Sequence, residues 1–373
     1  MGKQHHSKRR VIGTLAAGTV SLGVLGASLV APTVATADPG VDVPGQDQPI
    51  PVPAGSETAP DPNAQEFDVD HPEDAVALVP QDEADGVIKS QSETKSGKKV
   101  VKVRPSLSPN SSQRVGVAQV ITLRFPMSIN RKANVADAIK VRGFKKGKKG
   151  KNKKVALPGG KWGWVGSRTA VYRPKKFWPG ETKLRFEVDL KGVTMAKTKQ
   201  EEYVGSGDAS FVQNIKTRRS FVLRVSNKNK RISAYRNGKH VRSFGVSLGK
   251  KGYETRSGVK VLTGIKYRSL RMRGTDRITG ETWDVVSPWS IPLTTNGEFI
   301  HGAPWARYRI GRANGSHGCT NMNAEDARWI YKRVKEGDPV VTKGTGRSMP
   351  RSLSYPQGEY WTYSWSEWKK LAA

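Results

Sequence analysis

The sequence predicts a mainly β protein: two consecutive β-rich units, the second carrying one short helix late in the chain, behind a long solvated N-terminal stretch. Short runs of alternating branched and aromatic residues recur from about residue 98 onward, separated by Pro, Gly and Asn turns. Helical periodicity is clear only once, between Asn323 and Gly337. Charge is unevenly divided too. The 373 residues carry a net charge of +32, yet residues 38–95 hold 14 Asp/Glu against two Lys. A basic body therefore follows an acidic stretch, and such a body associates with polyanions: nucleic acid, anionic lipid or anionic wall polymer.

Residues 1–37 are expected to be an export signal. Lys3, Lys8, Arg9 and Arg10 precede an uncharged stretch from Val11 to Val34, which closes on Ala35-Thr36-Ala37. An uncleaved anchor is the alternative, because the stretch is long enough to span a bilayer, although four glycines dilute it. Export argues against nucleic acid as a partner and leaves membrane contact to this segment alone. Residues 38–97 are rich in Pro and acids, with Phe67 as the sole aromatic. They hold too little apolar surface to offset the entropy of ordering, so a disordered linker is expected.

Residues 98–213 form the first β unit. Val115–Phe125, Thr169–Arg173 and Lys183–Leu190 alternate in the manner of strands, and Trp178-Pro179-Gly180 marks a turn. Several short strands over this length predict a small antiparallel sandwich. The Lys/Gly run over 142–154 reads as a solvated hairpin tip, with a tether to anionic wall polymer as the sharper alternative. Residues 214–343 form the second unit. Phe221–Val225 and Arg231–Tyr235 read as strands, and Asn237-Gly238 is a two-residue hairpin turn. In the helix that follows the lone cysteine, Asn323 is the expected cap and Glu325 and Asp326 fill the first turn. Ala327, Ile330, Tyr331 and Val334 share a face, and Gly337-Asp338-Pro339 ends it. Residues 344–373 are left as a C-terminal extension.

The chemistry gathers around Cys319. As the only cysteine of an exported chain it has no internal disulfide partner, which points to a free nucleophile. His317 lies two residues before it, and His301 stands at the end of the apolar run Phe299-Ile300. A neighbouring imidazole is expected to lower the thiol pKa into the working range. Gly315 and Gly318 allow close backbone approach, and amides around Cys319, ahead of a helix, are candidate oxyanion donors. One Cys and two His lack a fourth ligand at familiar spacing, so neither metal nor cofactor is expected.

His301, fourteen intervening residues, then Ser316-His317-Gly318-Cys319-Thr320-Asn321 resembles the signature of the YkuD-type L,D-transpeptidase catalytic domain. Trp162-Gly163-Trp164, Tyr172-Arg173-Pro174-Lys175 and Trp178-Pro179 look like the N-terminal immunoglobulin-like domain of that family's actinobacterial, two-domain branch. Trp361 and Ser364-Trp365-Ser366-Glu367-Trp368 look like its C-terminal extension, which packs on the catalytic domain. The resemblance implies that Cys319 attacks the peptide bond after the third residue of a peptidoglycan stem tetrapeptide, while His301 serves as base and acid and D-alanine leaves. A side-chain amine of a second stem peptide then resolves the thioester into a cross-link; resolution by water would make the protein an L,D-carboxypeptidase instead. It further implies that His317 and Gly318 shape the pocket, that Asn321 holds the cysteine loop, and that Gly302, Ser316 and Met272 border the substrate. Carbapenems are expected to acylate Cys319, and the expected location is the cell wall or the outer face of the membrane. Two departures stand out. Gly302 replaces a common serine, and Thr255-Arg256-Ser257-Gly258 replaces a Thr-Pro-x-Gly turn. A wall-binding protein without catalysis is the reading from another class.

Overall fold

Side chains that alternate between buried and half-exposed along Lys183–Asp189 and Phe221–Ser226 pair these segments into sheets with one face inward. The computed structural model describes residues 65–68, 86–93, 97–111, 113–147 and 150–372. The expected export signal and most of the acidic linker lie outside the described residues, as do Lys148 and Lys149 of the Lys/Gly run.

The first domain has three sheets. One orders Ser106–Ser108, Ile121–Arg124, Thr169–Pro174 and Gly160–Val165. The second orders Arg114–Val115, Ser210–Thr217, Lys183–Asp189, Ile139–Lys146 and Asn152–Val155. The third orders Thr194–Lys197, Glu201–Gly205, Lys99–Arg104 and Val87–Glu93. Leu123, Phe125, Trp164, Trp178, Leu184 and Phe186 meet in a common core. The Lys/Gly run does close a hairpin, with Lys145 opposite Lys153.

Three expectations need correction. Val115–Phe125 is not one strand: residues 116–120 form a connection that is buried throughout, because it is the surface on which the second domain sits. The sheets are not purely antiparallel either, since Glu201–Gly205 runs parallel to Lys99–Arg104 and Ser210–Thr217 parallel to Arg114–Val115. Order also begins inside the stretch expected to be disordered. Val87–Glu93 pairs antiparallel with Lys99–Arg104, every residue exposed, so backbone hydrogen bonds hold it and no hydrophobic pattern announces it. Gln65–Asp68, further back, pairs in parallel with Leu270–Arg273 of the second domain.

The second domain holds two sheets. Lys239–Gly245, Arg231–Arg236, Phe221–Ser226, Pro339–Lys343 and Gly258–Val261 form one. Its hairpin turns at Asn237 and Gly238, both at positive φ, as the two-residue turn requires. The other orders Gln65–Asp68, Tyr267–Thr275, Thr282–Pro292, Phe299–Gly302 and Thr320–Met322. The helix Ala324–Tyr331 buries Ala327 and Ile330 between the sheets; Asn323 occupies its cap position but its side chain makes no cap bond.

The domains meet through backbone. Ala118 N donates to Gly337 O at 3.1 Å, and Arg218 Nη1 donates to Glu336 O at 2.8 Å. The extension, expected against the catalytic domain, also reaches the first domain. Trp361 Nε1 donates to Ala118 O and Trp368 Nε1 to Lys161 O, while both indoles cluster with Val171 and Val261. Arg173 lies buried among Trp361, Trp365 and Trp368, its guanidinium carbon 5.0–5.5 Å from each ring centre. Burial lowers its pKa to about 10, and its charge is met by aromatic faces and the Tyr363 carbonyl.

A Cβ on Gly116 would lie 2.1 Å from the Gly337 carbonyl carbon. Gly116→Ala is therefore expected to cost about 1–3 kcal/mol by forcing the loops apart. Thermal unfolding reads this; an unchanged midpoint would mean that this approach does not hold the domains together.

Candidate active site

Parallel pairing sets His301 opposite Asn321, with Ile300 opposite Thr320. Alternate residues of a strand share a face, so His301, Asn321 and Cys319 face the same way, and all three line one cleft. His301 Nδ1 donates to Gly302 O at 2.9 Å, which leaves Nε2 as the free acceptor nitrogen. The carbonyl thus orients the ring, so the missing serine hydroxyl is not needed. Gly302 itself is buried beneath Pro288, where a Cβ would meet Pro288 Cγ at 2.8 Å. Its carbonyl orients the imidazole, and Gly302, expected beside the substrate, is not among the residues lining the two clefts that open on the sulfur.

The cysteine loop is tied down from within and from below. Ser316 Oγ donates to Cys319 O at 2.7 Å and accepts from Gly318 N at 3.1 Å. The Ser316 hydroxyl, expected at the substrate, is engaged in shaping the loop. Thr255 Oγ1 accepts from Gly249 N and donates to Gly318 O at 2.7 Å, while Gly318 itself sits at φ +125°. Only glycine adopts that backbone freely. Asn321 joins the loop to Ser247 by backbone bonds in both directions. Its side-chain oxygen is buried and has no hydrogen-bond partner among the described residues. The helix begins only at Ala324, after the strand Thr320–Met322. Helix-end amides therefore do not surround Cys319 as expected.

His317 is fixed on three sides. Its Nε2 donates to Asp276 Oδ2 at 2.9 Å, its ring stacks on Trp283 with centres 5.5 Å apart, and Tyr253 meets it edge-on. Asp276 also accepts from Lys250 Nζ, Tyr253 Oη and the amides of Ile278 and Thr279. These donors, Lys250 foremost, hold its carboxyl far below the usual range. Beneath the loop, buried Glu298 accepts from Arg256 Nη1 at 2.7 Å and lies 3.4 Å from buried Lys260 Nζ. Arg256, in the position expected of proline, thus closes a buried ion cluster. Sequence reasoning missed Asp276 and Lys260, which arrive from a distant loop and strand with no fixed spacing to Cys319, and Glu298, which stands three residues before His301 but belongs to no motif read there.

Electrostatics overturn one expectation. Burial pushes the Cys319 thiol up to about 12, with Glu298 adding to the rise against a Phe299 backbone bond. Burial also lowers His301 to about 4. No hydrogen bond joins the two side chains; Sγ instead donates to Gly297 O at 3.5 Å. At neutral pH the resting pair is a neutral thiol and a neutral imidazole.

Two clefts open on the sulfur. One, of about 300 Å³, is lined by His301, Trp305, Tyr308, Arg309 and Asn321. The other, of about 190 Å³, is lined by Arg256, Arg277, Asn296, Glu298 and Arg347. Cys319, His317, Met272 and Trp283 border both. Among the described residues no group of three His, Cys, Asp or Glu is arranged to hold a metal.

Residues 220–342 match the L,D-transpeptidase catalytic domain family, YkuD. The second domain is a YkuD domain. Residues 76–194 match a bacterial Ig domain family, which starts ahead of the strand Val87–Glu93. L,D-transpeptidase 2 of Mycobacterium tuberculosis is 28% identical over 273 residues, 71% of this chain and 61% of that protein. L,D-transpeptidase 5 of the same organism is 28% identical over 70% of this chain and 54% of its own length. The chain thus spans less than two thirds of these curated relatives. A solved L,D-transpeptidase from Mycobacterium smegmatis is 20% identical, covering 65% of this chain and 99% of that one, with a TM-score of 0.48.

Because the YkuD thiol is held neutral, alkylation of Cys319 by iodoacetamide in His301→Ala should climb about tenfold per pH unit from pH 7 to 10 without levelling. A plateau near neutrality would mean a preformed thiolate. Thr255→Val strands Gly249 N and Gly318 O, and should cost about 1–3 kcal/mol in thermal unfolding while slowing the same alkylation. An unchanged rate would show that the loop stands without this hydroxyl.

Proposed function

We propose that the protein is an exported L,D-transpeptidase that cross-links the third-position residues of peptidoglycan stem peptides. One observation carries this reading: a lone thiol, with a bare imidazole nitrogen facing the same cleft, stands where two clefts meet. The acyl half of a donor peptide fits one side of the nucleophile, and the departing D-alanine and then the acceptor amine fit the His301 side. Resolution of the thioester by water would use the same two clefts, so product analysis separates transpeptidation from the carboxypeptidase alternative.

As Cys319 Sγ bonds to the third-residue carbonyl carbon, the thiol proton passes to His301 Nε2. The imidazolium returns it to the D-alanine nitrogen as that C–N bond breaks, leaving a thioester. The acceptor amine then attacks the thioester, loses a proton to His301, and the thiol departs reprotonated. A neutral pair suits this sequence, since the proton moves with the bond rather than before it. Asn321 holds the cysteine loop through its backbone bonds to Ser247. His317 and Gly318 shape the pocket, and Met272 borders the substrate. Residues 1–37 would direct the protein outward, 38–97 would give it reach, and the basic surface would associate with anionic wall polymer. Its place would be the cell wall or the outer face of the membrane, with a part in wall organisation and cell shape.

Incubated with disaccharide tetrapeptide, the protein should release D-alanine and form dimers joined through third residues, and a carbapenem should add its mass to Cys319. Cys319→Ala should lose both, and His301→Ala should be slowed by about 100-fold or more. Binding to peptidoglycan without D-alanine release would leave a wall-binding protein; release without dimers would leave a carboxypeptidase.

A further inference from the structure

The smaller cleft has an unusual balance of charge. Three guanidiniums, Arg256, Arg277 and Arg347, line it together with one carboxylate, Glu298. That carboxylate is taken up by Arg256 and Lys260. Arg277 Nη2 donates to the Gly252 carbonyl at 2.9 Å and the guanidinium lies over the Tyr253 ring. The half-buried Arg347 side chain makes no hydrogen bond or ion pair with any described residue. Burial, then the proximity of Arg256 and Arg277, lowers its pKa against the pull of Glu298 and Glu254. Two cations are thus held near one another, neither in an ion pair with a carboxylate of the described residues, beside a nucleophilic sulfur. An anion from outside the chain would relieve both.

The direction of the reaction says which anion. The departing amine and the arriving amine both exchange a proton with His301, so both occupy the cleft that carries it. The acyl half of the donor must extend the other way, past Gly297 and Asn296 toward the arginines. We propose, resting on the transpeptidase reading, that Arg277 and Arg347 form a subsite for a free carboxylate on the acyl half of the donor stem peptide. The protein thereby selects donors whose stem carboxylates are ionised over donors in which they are carboxamides. Arg256 belongs to the ion cluster under the cysteine loop and adds field without making the contact.

The test measures acyl-enzyme formation by mass, using the full chain and two synthetic tetrapeptide donors, one with free stem carboxylates and one with those groups amidated and D-alanine unchanged. The wild type should acylate with the free acid about ten- to a hundredfold more efficiently, the scale of one or two charge-assisted hydrogen bonds. Arg347→Gln and, separately, the exposed-loop variant Arg277→Gln should lose most of that preference while alkylating with iodoacetamide at the wild-type rate. The second variant and the alkylation control guard against a misfolded Arg347→Gln. Equal acylation by both donors, or a preference kept in both variants, overturns the subsite alone. No acyl-enzyme with either donor overturns the transpeptidase reading and the subsite with it.

Discussion

Everything at the site depends on the parallel pairing of Phe299–Gly302 with Thr320–Met322. No side-chain bond brings His301 to Cys319; the backbone ladder does. Alternation along the strands then puts imidazole, amide and thiol on one face. Because a slip of one residue would turn every side chain to the opposite face, register is the quantity the surroundings must protect. Ile300 and Met322 are fully buried within the same core, and a slip would bring them to the cleft. Thr255 and Ser316 then fix the short loop that the ladder leaves free.

Burial has a double effect on the reacting pair. It raises the thiol and lowers the imidazole, so each is neutral when the other is. A nucleophile of this kind is quiet toward solutes in passing and becomes reactive only when a carbonyl is seated close enough for the proton to move with the bond. Glu298 reinforces this, since its charge under the loop opposes thiolate formation. The cost of burying that carboxylate is offset by Arg256 and Lys260, and a cluster of this sort is worth more for fixing geometry than for stability. Arg256 and Glu298 span the turn that precedes Gly258–Val261 and the strand that carries His301. The substitution of proline by arginine thus exchanges backbone rigidity for a buried ionic clamp.

Much of the site was legible in sequence because its members lie within one short stretch. Cys319, His317, Gly318 and Asn321 are contiguous, and His301 stands at a fixed interval on the paired strand. The helix and the Asn237-Gly238 hairpin were legible for a similar reason: both are local. What could not be read comes from long-range placement. Asp276 enters from the tip of two long strands, Lys260 from another sheet, and the Trp361 and Trp368 indoles from the far end of the chain. Val87–Glu93 was misread because an exposed edge strand held by backbone bonds has the composition of a linker. Residues 116–120 were misread for the opposite reason, since an interface loop buried on every side has the composition of a strand.

The two histidines can be told apart on mechanical grounds. His317 is gripped by the Asp276 carboxylate, by the face of Trp283 and by the edge of Tyr253, so turning its ring would break all three contacts. A ring so held is a wall, and it stands between the clefts. His301 has a single bond, to the Gly302 carbonyl, which fixes the tautomer and leaves Nε2 open. Its nearest aromatic neighbour, Trp305, lies 6.0 Å away between ring centres. Proton transfer needs an acceptor nitrogen that is bare at rest and a ring able to adjust by tenths of an ångström as the sulfur advances. Only His301 meets both needs, although His317 is the nearer to Cys319 in sequence.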